Sequence, residues 1–168
     1  MALDGKGGPL PQGPALDTKV AQLTTILEKF EFAVDATDLS APDADCFFRA
    51  FSLTYCGDDY ASDTRKIMVF HSLIHPTICQ PWVARITNSN PAPLKYSALV
   101  SAYLEETTWA DSLAVHLTAL AFHVNIRIII AGSSSYYMIS PFTDPATRVI
   151  SLLYFQNRHY AAVMNGPY

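Results

Sequence analysis

Seven consecutive residues, Val124-Asn125-Ile126-Arg127-Ile128-Ile129-Ile130, constrain the fold more than any others in the chain. Five of them are β-branched, and such side chains lose rotamer freedom in a helix but pack well on a pleated surface. The run predicts a strand. Directly ahead of it Asp111 precedes the apolar series Leu113, Val115, Leu117, Leu120 and Ala121, which predicts a helix capped by the Asp111 carboxylate. After it, Gly132 with Ser133, Ser134 and Ser135 predicts a turn into a strand from Tyr136 to Ile139, and further strands are predicted at Arg148 to Phe155 and His159 to Met164. Strands confined to the end of the chain and helices before them imply an α/β or α+β fold, with helices around a small sheet.

The upstream residues supply those helices. Cys46 to Leu53 reads as an apolar helix closed near Gly57. Ser62 or Asp63 starts another, through Arg65, Met68, Val69 and Leu73, which Pro76 should stop or kink because it has no amide hydrogen. A shorter helix over Thr77 to Ile86 contains Pro81, the Asn88 to Pro93 cluster is a loop, and Leu94, Ala98, Val100 and Leu104 mark one more helix. Near the start, Asp17 caps a helical pattern of Val20, Leu23, Leu27 and Phe30, and the Asp35 to Asp45 stretch favours turns. Residues 1–15, dense in Gly and Pro, read as a flexible tail, and 16–168 as one domain.

Composition narrows the function classes. With 50% hydrophobic and 15% charged residues the chain is globular rather than disordered. A net charge of −4, without a run of Lys and Arg, argues against nucleic acid as a partner. The most apolar region, Leu113 to Ile130, is interrupted by His116, His123, Asn125 and Arg127, so a membrane span is not expected. Nor does the start read as a secretory signal. The three cysteines, Cys46, Cys56 and Cys79, are therefore expected to be reduced thiols in an intracellular, cytoplasmic setting.

Phosphate-loop, serine-elbow and paired CxxC signatures are missing. His71, His75 and Cys79 have a helical ligand spacing, but Pro76 interrupts it and no fourth ligand is evident, so no metal is expected. What remains is one cysteine and one histidine. Cys46 falls in the first turn of its predicted helix, where free N–H groups and the helix dipole favour a thiolate. A thiol hydrolase also needs a histidine to take and return the proton. Four of the five histidines fall within or at the ends of predicted helices, whereas His159 opens a strand after the polar turn Gln156-Asn157-Arg158. By residue type alone, packing remains the commoner role for a helix-bound cysteine.

The segment Asp43-Ala44-Asp45-Cys46-Phe47-Phe48-Arg49-Ala50-Phe51-Ser52 resembles the nucleophile motif of the OTU (ovarian tumour) cysteine proteases, Asp-Gly-Asn-Cys-Leu-Phe-Arg-Ala-Leu-Ser. Trp109-Ala110-Asp111 ahead of a helix and the Val124-Asn125-Ile126 strand is similar to that family's middle block, and Leu152-Leu153-Tyr154 with His159-Tyr160 to its closing block. The resemblance implies a papain-related fold with a mostly antiparallel sheet flanked by helices. It further implies a deubiquitinase that hydrolyses the bond after the C-terminal glycine of ubiquitin or a ubiquitin-like modifier, with ubiquitinated proteins as partners and no cofactor. Cys46 matches the nucleophile, His159 the general base and acid, and Asp43 the leading Asp of a loop, Asp43, Ala44 and Asp45, whose N–H groups face the oxyanion. Trp109 and Tyr160 would wall the channel for the Gly-Gly tail.

Three departures from the family pattern bear on catalysis. Ala44 replaces a glycine, so a methyl stands where the loop can need positive φ. Asp45 replaces an asparagine and sets a carboxylate beside the thiol, which should raise its pKa. Ala161 stands where the family has an Asn or Asp to orient the histidine; Asn157, Asp35 or Asp38 could substitute. These departures keep open a catalytically weak module that binds ubiquitin or another partner; the resemblance also leaves open a viral polyprotein-processing cysteine protease, since many viral OTU domains are this compact.

Overall fold

The computed structural model describes residues 32–34, 43–133, 135–141, 148–155 and 159–165. The expected tail, the Asp17 helix and the candidate orienters Asn157, Asp35 and Asp38 lie outside them.

The first described helix, α1 (Cys46–Cys56), buries Cys46, Phe47, Phe48, Ala50, Phe51 and Ser52, so its first two turns are enclosed on more than one side. It ends where the sequence predicts, at Gly57 in the left-handed region with φ +84°, whose N–H closes on the Leu53 carbonyl. Helix α2 (Ala61–Ile74) buries Thr64, Arg65, Met68, Val69 and Ser72, a helical stripe that includes one guanidinium. Pro76 ends the run of α2 by opening α3 (Pro76–Thr87), at the first helical position where its missing N–H is harmless. Helix α3 continues through Pro81. The pattern from Leu94 to Leu104 forms α4 (Pro93–Ser101) and then tightens into a 3-10 turn over Ala102–Leu104. In α5 (Ser112–Phe122) the Asp111 carboxylate accepts the Ala114 N–H at 2.9 Å, the cap the sequence calls for.

Five strands form one mixed sheet in the order β1-β5-β4-β2-β3: β1 (Phe32–Val34), β2 (Asn125–Ile130), β3 (Tyr136–Ile139), β4 (Val149–Tyr154) and β5 (Tyr160–Asn165). All neighbours are antiparallel except β2 and β4, which run parallel with Ile128 opposite Leu152. The fold is α+β, and the mostly antiparallel sheet is as expected. Strand β1 was not expected from the sequence; it pairs with β5 from Phe32↔Asn165 to Val34↔Val163. Helix α1 packs on β5 and β4, and α2 packs outside α1 and α5. The core between them is aromatic: Phe47, Phe48 and Phe51 are fully buried with Leu117, Ile126, Ile128 and Leu152. No described helix is long and apolar enough to cross a membrane.

Candidate active site

Cys46 is the first residue of α1, and Asp45 is its N-cap. An N-cap aspartate ordinarily accepts an N–H from the first turn, but the Asp45 side chain makes no such bond. It turns onto Arg65 of α2, whose Nε and Nη2 donate to Asp45 Oδ1 at 3.1 and 2.7 Å. The same guanidinium donates through Nη2 to the Ala44 carbonyl at 3.1 Å, and through Nη1 to the carbonyls of Tyr103 at 2.8 Å and Thr108 at 2.7 Å. A guanidinium has five N–H donors, and all five have an acceptor. Arg65 is 2% exposed and lies 4.3 Å above the Phe48 ring. The sequence reading missed it as a site residue. Its signal was a cation within the apolar stripe of α2.

Asp43 has a different partner. Its two carboxylate oxygens take a bidentate pair from Arg49 at 3.0 and 2.7 Å, and Oδ1 also accepts the Asp45 N–H at 3.1 Å. Arg49 donates from Nε to Asp59 as well, at 3.2 Å. Hydrogen bonding to Asp43 leads the causes that push the Arg49 pKa further up, so its charge is permanent. The Cys46 N–H reaches the Asp43 carbonyl at 3.2 Å. The loop is thus held by two arginines, one through each aspartate.

Two of the sequence-based concerns change on this geometry. Ala44 carries no backbone strain: among the described residues, positive φ at a non-glycine occurs at Asn88 and His123 only. The Asp45 carboxylate, expected to oppose thiolate formation, is neutralised by Arg65. The third departure stands, since Ala161 is fully buried and carries no polar group to orient a ring.

His159 immediately precedes β5 and is fully buried, as is Cys46 at 1% exposure. Its carbonyl accepts the Phe155 N–H at 2.9 Å, and its ring lies 5.8 Å from that of Phe155. The chain neighbours of the two candidates meet: Phe47 packs edge-on against Tyr160, with ring centroids 5.1 Å apart. The start of α1 and the start of β5 are therefore packed together. Tyr160 is 2% exposed and also touches Tyr154 at 4.9 Å. Burial drives its phenol pKa far up, with smaller contributions from Tyr154, Cys46 and Asp111, so it stays protonated. Among the described residues its hydroxyl has no hydrogen-bond partner. Trp109 is half-buried against the core and directly follows Thr108, whose carbonyl Arg65 holds.

His71, His75 and Cys79 lie near one another, with the Cys79 sulfur 3.9 Å from His71 Nδ1. Among the described residues no group of three His, Cys, Asp or Glu side chains is placed to hold a metal. Burial raises the Cys79 thiol pKa, so it is a poor nucleophile. Cys56 is exposed and donates to the Ser52 carbonyl.

A thiol at a helix N-terminus, packed beside a strand that follows a histidine, is a layout suited to acyl transfer by a cysteine nucleophile. No protein-family model matches the chain, and no curated protein matches its sequence. Its fold is that of the OTU domains. The OTUD1 OTU domain superposes with a TM-score of 0.62 at 19% identity, over 88% of this chain and 97% of that one. The viral OTU domain protease from Qalyub virus gives 0.60 at 16% identity, over 81% and 85% of the two chains. An OTU deubiquitinase from Wolbachia pipientis, solved bound to ubiquitin, gives 0.53 at 13% identity, over 81% and 97%.

Proposed function

We propose that the chain is a thiol-dependent deubiquitinase, hydrolysing the isopeptide bond after the C-terminal glycine of ubiquitin or a ubiquitin-like modifier. The observation that carries the reading is the position of Cys46, first residue of a helix that packs on β5 directly after His159, within an OTU fold. The Cys46 thiolate attacks the isopeptide carbonyl, and His159, having taken the thiol proton, returns it to the departing lysine amine. Water then attacks the thioester, with His159 accepting its proton, and frees the carboxylate and the thiol. Backbone N–H groups of the Asp43, Ala44 and Asp45 loop and of Cys46 stabilise the oxyanion, the Asp45 and Cys46 amides exchanging their bonds to Asp43 for it, and Asp43 acts by shaping that loop through Arg49. Trp109 and Tyr160 flank the path of the Gly-Gly tail. No cofactor takes part. The chemistry needs a free thiol, which suits a reducing, intracellular compartment.

A ubiquitin probe with an electrophilic C-terminus is expected to label the protein covalently and to leave Cys46→Ala and His159→Ala unlabelled. Labelling that survives Cys46→Ala refutes the assignment. Tight probe binding with no adduct in the wild type would instead favour the non-catalytic binding module, a reading for which Ala161 is the supporting feature.

A further inference from the structure

We propose that Arg65 is a positioning residue for the Cys46 thiol, with two effects: it cancels the charge of Asp45, the residue before Cys46, and it locks the nucleophile loop against the segment leading to Trp109. The proposal rests on the reading of Cys46 as nucleophile, but its test does not depend on ubiquitin. A guanidinium buried to 2% exposure is tolerated only when its donors are satisfied. Here the acceptors come from three places: Asp45 and Ala44 in the loop, Tyr103 in the 3-10 turn, and Thr108 before Trp109. An apolar side chain could fill this part of the α2 face, but it could neither join those backbones nor neutralise Asp45.

The electrostatic effect follows from the position of Asp45 next to Cys46. Left alone, its carboxylate would disfavour a neighbouring thiolate. Paired with Arg65, it leaves no net charge, and because Asp45 makes no cap bond the first-turn amides of α1 are not shielded by it. Among the other ionisable groups at this end of the site, Asp63 in the first turn of α2 lines one surface hollow with Asp45, Arg49 and Asp59. Asp43 and Arg49 pair with each other, and Arg49 also with Asp59; Asp111 takes the Tyr103 hydroxyl; Tyr154, His159 and Tyr160 approach from the sheet, with Tyr160 held protonated. The Arg65 and Asp45 pair is therefore the adjustable charge nearest the sulfur in sequence.

The readout is thiolate ultraviolet absorbance against pH, taken as the difference between each protein and its Cys46→Ala counterpart. Arg65→Met should raise the midpoint by about one pH unit, and Asp45→Asn in the same chain should bring it back. If Arg65→Met does not unfold cooperatively, Asp45→Asn alone decides. It leaves the guanidinium uncancelled and should lower the midpoint, and an unchanged or raised value overturns the electrostatic effect. An unchanged midpoint in folded Arg65→Met does the same. Arg65→Lys keeps the charge but has only three donors. It should retain the wild-type midpoint while probe labelling slows at least about tenfold; labelling at the wild-type rate overturns the locking effect. If the wild type takes no probe, the deubiquitinase reading fails, and the locking effect is then judged by the alkylation rate of Cys46 in Arg65→Lys at matched thiolate fraction.

Discussion

Replacing Phe47 with leucine tests whether the contact between α1 and β5 holds the site together. Phe47 is fully buried and meets Phe48 at 5.2 Å, Phe51 at 6.2 Å and, edge-on, Tyr160 at 5.1 Å. Leucine keeps an apolar side chain but removes ring volume, which costs about 1 kcal/mol where the site partly relaxes. Losing the edge-on pair with Tyr160 adds about 1 kcal/mol. The sum, about 2 kcal/mol, is smaller than the ~5–15 kcal/mol of a typical domain, so the variant stays folded. At roughly 2–4 °C per kcal/mol for a chain of this length, the melting temperature should fall by about 4–8 °C. The control is Phe51→Leu. Phe51 lies one turn further along the same helix and is equally buried, but its other ring partners are Tyr55 at 5.5 Å and Phe122 at 4.9 Å, away from β5. Both variants should melt within about 3 °C of each other. Only Phe47→Leu should slow labelling by the ubiquitin probe at least about tenfold, the rate equivalent of ~1.4 kcal/mol of misplacement. Equal slowing in the two variants would show that general loosening, not the Phe47 and Tyr160 contact, governs the site, and the reasoning would fail.

Other perturbations bear on the scaffold. Asp111→Ala removes the α5 cap and the acceptor of the Tyr103 hydroxyl, 2.6 Å away, and should cost about 3 kcal/mol; a denaturation midpoint within error of wild type would contradict this. Gly57→Ala places a methyl in open space at φ +84°, so only the backbone conformation resists it, at about 1 kcal/mol; a larger loss would reveal a packing role. Burial lowers the His116 pKa, with repulsion from Arg85 adding to it and the bond to the Ser112 carbonyl opposing it. The unfolded chain then takes up a proton that the folded one resists, so stability is present above the ordinary histidine pKa and is lost as pH falls below it. His116→Gln should flatten that slope in denaturation series run on either side of the value, and an unaltered slope would refute the attribution.

The elements that were legible in the sequence carry their signals locally. The four isoleucines of β2, the Asp111 cap and the Gly57 terminator each act within a few positions, and each is where the pattern puts it. Strand β1 was illegible because three residues, Phe32–Val34, are defined as a strand by a partner at the far end of the chain. Cys46 and His159 could be singled out because their side chains have distinctive chemistry. Arg65 shows only as a cation within the apolar stripe of α2, and its role depends on acceptors 20 to 43 positions away. The pairing of Asp45 was illegible for the same reason. Its charge was visible in the sequence, but the cation that cancels it was not.

Strand β5 lies between β1 and β4, yet it is the last of the five in chain order. During synthesis the described helices and the β2 to β4 strands precede this strand, which stands between the edge strand β1 and β4. Until it follows, Phe47 has no Tyr160 to close against, and β4 presents an open edge. Pairing with β4 is local, Tyr154 standing opposite Tyr160, so the long-range part of completing the sheet is the closure of β5 on β1 and α1, where loop-closure entropy is lost before the contacts form. The same event brings His159 to the side of α1. A chain lacking β5 would hold Cys46 without its partner strand, so the chemistry proposed for that thiol depends on β5 being in place.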